Sequence, residues 1–423
     1  MDDQIMAGRP RISTWKIVLL GALYLSQGLP FGFFTQALPV MMRQEGASLR
    51  AIGLTSILAL PWALKFVWAP LVDRYYWPPA GRRRSWILPL QAITALTLVL
   101  LALAEPKSAS DLLLGAFVVM NLLAATQDIA TDGLAVDLLE AHERGWANGV
   151  QVAGYRLGMV IGGGALLVLY ADLGWRGVFL TMAAIIAVAS VPVLLSREPA
   201  PPPVALPAAG PAALGPTIPH FLRRSGVGRV LLVVFVYKIG ESFASAMIKP
   251  FLTDRGLGLE EIGWLIGTVG FVGGLLGALV GGAVAGAIGR RRALIGFGLI
   301  QVLAVSSYAL LATFDLPREL YAVVIGLEHF GVGTATAALF TAMMDWCDAR
   351  SSATDYTVQA SAVVIATGTA SSLSGFVAER LGYSGHFTLA TAVAGAALLP
   401  VIFAWPAEKP RVDAPVNTSS PAL

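Results

Sequence analysis

The sequence predicts an all-α polytopic membrane protein of twelve transmembrane helices, arranged as two six-helix bundles. Three observations predict it. The chain of 423 residues is 56% hydrophobic and only 13% charged, about half the charge of a soluble domain, and that much apolar surface cannot be hidden in one water-soluble core. Twelve apolar stretches come close to the roughly 20 residues that a bilayer core requires. The second half also repeats landmarks of the first at an offset of about 210 residues.

In order, the stretches run 16–39, 51–72, 86–104, 112–137, 146–170 and 175–195, then 229–252, 261–287, 293–313, 320–345, 355–377 and 386–405. Glycine and proline are abundant inside them, which membrane helices tolerate and use for close packing. Orientation follows from the connections. With the N-terminus inside, 18 of the 29 Lys and Arg fall on the cytoplasmic side and 8 on the other, while Lys65, Arg156 and Lys238 lie within spans. The bias places both termini in the cytoplasm and calls for an even number of crossings. The first apolar stretch is long and leads directly into further spans, so a cleaved signal peptide is not expected.

Residues 196–228 form the longest connection and contain "PAPPPVALPAAGPAALGPTIP". Proline at this density resists helix and sheet and makes a semi-rigid linker. The expected organisation is an N-terminal tail (1–15), a first bundle (16–195), the linker (196–228), a second bundle (229–405) and a C-terminal tail (406–423). The halves echo each other: "LPVMMRQEGASLRAIG" (38–53) with "KPFLTDRGLGLEEIG" (249–263), the arginine run at 82–84 with "GAIGRRR" (286–292), and "NGVQVAG" (148–154) with "YTVQASA" (356–362). A six-span unit repeated in one orientation gives two bundles about a pseudo-twofold axis along the membrane normal. That is the major facilitator arrangement, with substrate held near the midplane between the bundles.

Charges inside the spans carry the functional reading. An aspartate at a helix centre costs about 2.5–3.5 kcal/mol on insertion scales, yet "ATQDIATDGLAVDLL" (125–139) holds three. Asp128 and Asp132 are four residues apart, hence roughly 40° apart on one helical face; Asp137 points elsewhere, near the cytoplasmic end. Arg156 in span 5 lies at a depth close to that of Asp128, roughly 15 Å along its helix, so an Asp128–Arg156 pair is expected. Such a pair can orient two helices or take part in transport. A carboxylate that sheds its cation can take up and release a proton, and Arg156 can instead fork to an anionic group on a solute. Lys238 and Glu241 are three apart in span 7. Of Glu328 and His329 in span 10, Glu328 is expected to face the lumen. Ser26, Gln27, Gln127, Gln151, Tyr155 and Tyr237 are further candidates for solute contact, with helix–helix hydrogen bonding as their structural alternative. Lys65 is expected to snorkel toward the cytoplasmic interface.

"DRYYWPPAGRRR" (73–84) follows span 2. An aspartate at a helix C-terminus is poorly placed for the dipole and needs an arginine partner. Asp73, Arg74, Arg82, Arg83 and Arg84 are therefore the expected gating loop. Other classes fit less well. The single Cys347 and the four scattered histidines offer no metal-ligand spacing, so no metal or cofactor is expected. There is no phosphate-binding Gly-x-x-x-x-Gly-Lys-Ser/Thr and no catalytic set for a membrane-embedded enzyme. The formal charge of +3 forms no single basic patch, so nucleic acid is not expected as a partner. Expected partners are a small polar solute, protons and membrane lipid, bound by a monomer. A channel is the remaining rival, and it differs in that its downhill flux survives a protonophore.

Several stretches resemble the AmpG-like branch of the major facilitator superfamily: "YLSQGLPFGF" (24–33), "LPWALKFVWAPLVDR" (60–74), "GRRRSWIL" (81–88), "ATQDIATDGLAVDLL" (125–139), "ERGWANGVQVAGYRLGM" (143–159), "VYKIGESF" (236–243) and "SSATDYTVQAS" (351–361). The resemblance spans nearly the whole chain. That branch holds muropeptide permeases, acetyl-CoA transporters and siderophore importers of the RhtX/FptX type. It implies a bacterial inner-membrane symporter, with the family's acidic position on Asp128 and its arginine on Arg156. Two departures bear on substrate. The muropeptide permeases often carry spans beyond twelve, and their span 4 continues with bulkier residues. "SQGLPFGFFTQALPV" and "TDYTVQAS" look closer to the siderophore importers, so the expectation is proton-coupled siderophore import, with muropeptide import as the alternative and acyl-CoA third.

Overall fold

A computed structural model describes residues 12–38, 60–103, 110–198 and 218–406. The expected tails, most of the proline-rich linker, the first repeat segment from residue 39 and the first part of span 2 lie outside the described residues. What is described is helical throughout, with no strand among the described residues.

Among the described residues nine helices are long and apolar enough to cross a membrane: α1 (Thr14–Ala37), α3 (Arg84–Leu103), α5 (Arg144–Tyr170), α6 (Asp172–Leu195), α7 (Val227–Asp254), α8 (Glu260–Ile288), α9 (Arg290–Thr313), α10 (Glu319–Asp345) and a last one, Ser352–Phe403. The last is two crossings, α11 (352–381) and α12 (383–403), because Gly382 at φ 66° turns the chain between them. Two more complete the twelve. One is α2 (60–74), built of shorter pieces. The other is α4 (Ser110–Leu138), 29 residues long. Large apolar side chains stay on the outside, among them Val168 at 76% and Phe403 at 81% exposure, as a lipid-facing surface requires.

The repeat is visible in the backbone. Gly81 and Gly289, then Gly174 and Gly382, are positive-φ glycines 208 residues apart. They end the same turns in the two halves. One end of the molecule carries Arg82, Arg83, Arg144 and Arg290. There a single apolar cluster runs through both halves, from Leu20, Tyr24 and Val136 to Ala285, Met343 and Tyr356. Toward the other end the cores separate: Phe33, Phe117 and Phe179 anchor one in the first half, and Phe251, Tyr308 and Phe387 another in the second. The halves are thus sealed at the arginine-rich end and, among the described residues, have separate apolar cores toward the opposite one.

Two local breaks position the charges. In α2 the helix runs Leu60–Leu64, tightens to a 3₁₀ turn over Lys65–Val67 and resumes over Ala69–Arg74. Pro70 removes one backbone donor and its ring crowds the carbonyl of Phe66, which accounts for the break. In α7 the helix breaks at Lys238 and again at Met247, each near φ −101°. Pro250 explains the second break by the same rule; the structure offers no comparable cause for the first.

Candidate functional site

The break in α2 turns Lys65 inward. The residue is 4% exposed, its ammonium hydrogen-bonded to Asp128 Oδ2 and 3.9 Å from Asp132 Oδ2. Tyr24 of α1 donates to Asp132 Oδ1 at 2.8 Å, and Trp62 lies 5.7 Å beneath the ammonium. Asp128 and Asp132 share one face of α4, as their spacing requires. Their cation is Lys65, however, so the expected Asp128–Arg156 pair is not formed and Lys65 does not snorkel. Azimuth decides pairing, and Arg156 points across to the second half, against Gly274. Two carboxylates therefore share one buried lysine. Removing one member of a buried ion pair costs about 3–5 kcal/mol. Lys65→Met is accordingly expected to lower the thermal unfolding temperature in detergent markedly, and Lys65→Met with Asp128→Asn to recover most of it. Equal losses in the single and double variants would contradict the pairing.

A second polar cluster lies in the other half. Lys238 Nζ is 2.8 Å from Glu241 Oε2. Ser245 bridges Glu241 (3.2 Å) and Glu328 (2.9 Å), and His329 Nδ1 is 2.7 Å from Glu328 Oε2. Glu328 does not face open space, contrary to expectation: its side chain is 2% exposed against 21% for His329. Arg156 is half-buried on α5, with Glu241 and Glu328 close enough to act on it electrostatically.

The remaining candidates divide. Gln27 is buried with neither amide atom bonded among the described residues. Tyr155 is half-buried beside Phe31, and Gln151 reaches the Tyr356 hydroxyl at 3.5 Å. Ser26 bonds the Leu23 carbonyl and accepts from Gln91 and Gln127, so Ser26 and Gln127 serve packing within the first half. Tyr237 is a correction: it is buried in the apolar cluster and its hydroxyl is taken by the Leu294 carbonyl at 2.8 Å, leaving nothing for a solute.

At the arginine-rich end, Asp73 accepts from Arg82 and Arg83 at 2.8 Å each, and from Thr354 N and Oγ1 of α11 at 2.7 and 2.6 Å. Arg82 also donates to the Ala349 and Arg350 carbonyls. Arg83 binds Asp137 Oδ2 at 2.9 Å and Ser352 at 2.7 Å. Arg74 is exposed on the Tyr75 ring and takes no part. Arg84 caps the Leu194 carbonyl within the first half. The second half repeats the device, with Asp345 between Arg290 (2.6 Å) and Arg144 of α5 (2.7 Å). Asp345 stands to Asp137 as Ser352 stands to Arg144, 208 residues on. Each half's aspartate thus meets its own arginine and one side chain from the opposite half. Lys16 adds a bond to Glu143 at 2.6 Å; burial raises the Glu143 carboxyl, but Lys16 outweighs it and holds it below the usual range. A lowered value means this bond contributes at neutral pH and is lost only as pH falls through it.

Sequence reasoning missed Lys65, Tyr24, Thr354 and Ser352. The only signal for Lys65 was a lysine deep in an apolar run with Pro70 five residues on.

Helices broken at buried charges and two pseudo-symmetric halves joined by an arginine–aspartate network are the architecture of a membrane transporter. Residues 16–172 match the family model described as acetyl-coenzyme A transporter 1, and residues 230–421 the one described as Major Facilitator Superfamily. The chain is 32% identical over 394 residues to an anhydromuropeptide permease of Escherichia coli (strain K12), covering 91% of this chain and 79% of that one. It is 26% identical over 400 residues to a putative transporter AmpG 4 of Rickettsia conorii, covering 92% and 94%. Among solved structures, the E. coli fucose:proton symporter has a TM-score of 0.69 at 12% identity, covering 92% of this chain and 98% of that one. The human organic anion transporter MFSD10 has a TM-score of 0.65 at 17%, covering 93% and 100%. These two speak for the fold alone. The chain belongs to the major facilitator superfamily, in its AmpG-like permease branch.

Proposed function

We propose that this chain imports anhydromuropeptides across the bacterial inner membrane, coupled to protons, by alternating access between two bundles (16–195 and 229–405) with both termini cytoplasmic. The observation that carries the coupling is the buried Lys65–Asp128–Asp132–Tyr24 network. One lysine answers two carboxylates, so the pair has room for one proton, and opening the seal at the arginine-rich end is what would let it leave. The substrate reading rests on the relative at 32% identity, whose name is anhydromuropeptide permease. One of the relatives described above carries a muropeptide name and none a siderophore name, so the siderophore expectation is set aside. In this reading Asp73, Arg82 and Arg83, joined by Asp137, Asp345 and Arg144, latch the cytoplasmic gate. Gln27, Gln151, Tyr155, the Lys238–Glu241 pair and His329, with Glu328 behind it, line the solute path.

The test is uptake of a labelled anhydromuropeptide and a labelled ferric siderophore by proteoliposomes under an inward proton gradient. Accumulation of the muropeptide alone, lost on adding a protonophore, is the expected result. Accumulation of the siderophore alone overturns the substrate assignment, and uptake indifferent to the protonophore overturns the coupling.

A further inference from the structure

With Lys65 as the partner of the aspartates, Arg156 is left over. Its guanidinium makes no hydrogen bond or ion pair among the described residues, while Lys65, Lys238 and His329, the other cationic side chains of the two buried clusters, each have one. It lies against Gly274 of α8, where any β-carbon would overlap Nη1, so a glycine keeps its place open. The two carboxylates that act on it, Glu241 and Glu328, are each already matched, by Lys238 and His329. The guanidinium is therefore the uncompensated positive charge, set on the seam where α5 of the first half meets α8 of the second.

We propose that Arg156 is the berth for a carboxylate of the solute, and that its charge and that of the aspartate pair together enforce coupling. This rests on the muropeptide reading above, since a peptide-bearing solute brings a free carboxylate. A planar fork of donors fits that group in a two-point contact. The coupling follows from counting charge. Lys65 neutralises one of Asp128 and Asp132, leaving one negative charge; Arg156 carries one positive charge; Lys238–Glu241 sums to zero, as does the Glu328–His329 contact with one proton held between carboxylate and imidazole, and Tyr24, Tyr155 and Tyr356 around them are neutral. The interior is balanced when empty and when it holds both a proton and a carboxylate. With a proton alone it is positive, and with a carboxylate alone negative. A net charge is disfavoured in a closed, low-dielectric interior, so the two halves exchange orientation with both cargoes or with neither.

The test compares uptake of a labelled anhydromuropeptide with that of the same molecule whose peptide carboxylates are converted to carboxamides, using the full chain in proteoliposomes below saturation. Wild type is expected to favour the carboxylate form by about 10- to 100-fold, the range of a charge-assisted hydrogen bond. In Arg156→Gln that ratio is expected to collapse toward one, and in Gly274→Ala, which displaces the guanidinium, to fall most of the way. A wild-type ratio of one, or an unchanged ratio in Arg156→Gln, overturns the berth. If Arg156→Gln fails to reach the membrane, Arg156→Lys keeps the charge without the fork: an intermediate ratio supports the proposal and an unchanged one overturns it. Wild type that takes up neither molecule overturns the muropeptide reading itself, and this inference with it.

Discussion

Asp128→Asn is expected to abolish accumulation of solute while leaving exchange across the membrane intact. The substitution removes the carboxylate hydrogen-bonded to Lys65 and leaves Asp132, 3.9 Å away, as its only anion. The lysine then matches the remaining carboxylate one to one, and the interior no longer needs a proton. Net uptake against a gradient should fall at least about 100-fold, the scale of losing a general proton acceptor. Counterflow, in which labelled solute enters as unlabelled solute leaves, needs no net proton movement and should persist. The comparison is made on one reconstituted preparation. Unchanged accumulation would remove Asp128 from the coupling step, and loss of both activities would point to a folding defect.

The second large effect concerns the seam between the halves at the arginine-rich end. Gly145 of α5 and Gly282 of α8 cross there with their backbones in contact. A β-carbon on Gly145 would overlap the Gly282 carbonyl oxygen and stand 2.9 Å from Gly286 N. Backbone atoms cannot yield as a flexible side chain can, so Gly145→Val must part the helices. Parting them also strains the Arg144–Asp345–Arg290 contact one residue away. The sealed state should be lost, and uptake should fall below about a tenth of wild type, a free-energy difference of about 1.4 kcal/mol or more between states. Spin labels at Trp146→Cys and Ile288→Cys, both exposed positions, in a Cys347→Ser background report the separation. A longer distance in Gly145→Val is expected; an unchanged distribution with normal uptake contradicts the role given to this seam.

Much of this was legible in residue order. The apolar runs located the crossings because a bilayer fixes helix length. The four-residue spacing put Asp128 and Asp132 on one face, and the three-residue spacing paired Lys238 with Glu241, both being local consequences of helical pitch. Asp73 advertised its need for Arg82 and Arg83 by standing at a helix C-terminus. What could not be read were contacts set by rotation about a helix axis. Counting along the helices matches Arg156 to Asp128, but only the packing of α5 on α8 shows that the guanidinium turns away. Lys65 looks like an interfacial lysine until the break before Pro70 redirects it. Thr354 and Ser352 answer Asp73 and Asp137 from the other half, nearly 300 and over 200 residues along, and carry no signature of that role. Tyr237 looked like a solute contact because a tyrosine hydroxyl is polar; the Leu294 carbonyl takes it instead.

The most direct measurement of the central claim follows protons and solute together. Proteoliposomes holding a pH-sensitive dye, with no imposed gradient, are given labelled anhydromuropeptide outside. If the shared charge of Asp128 and Asp132 titrates with each turnover, the lumen acidifies as label enters, and Asp128→Asn lets label exchange with no acidification. Entry of label in wild type with a steady internal pH would contradict the account.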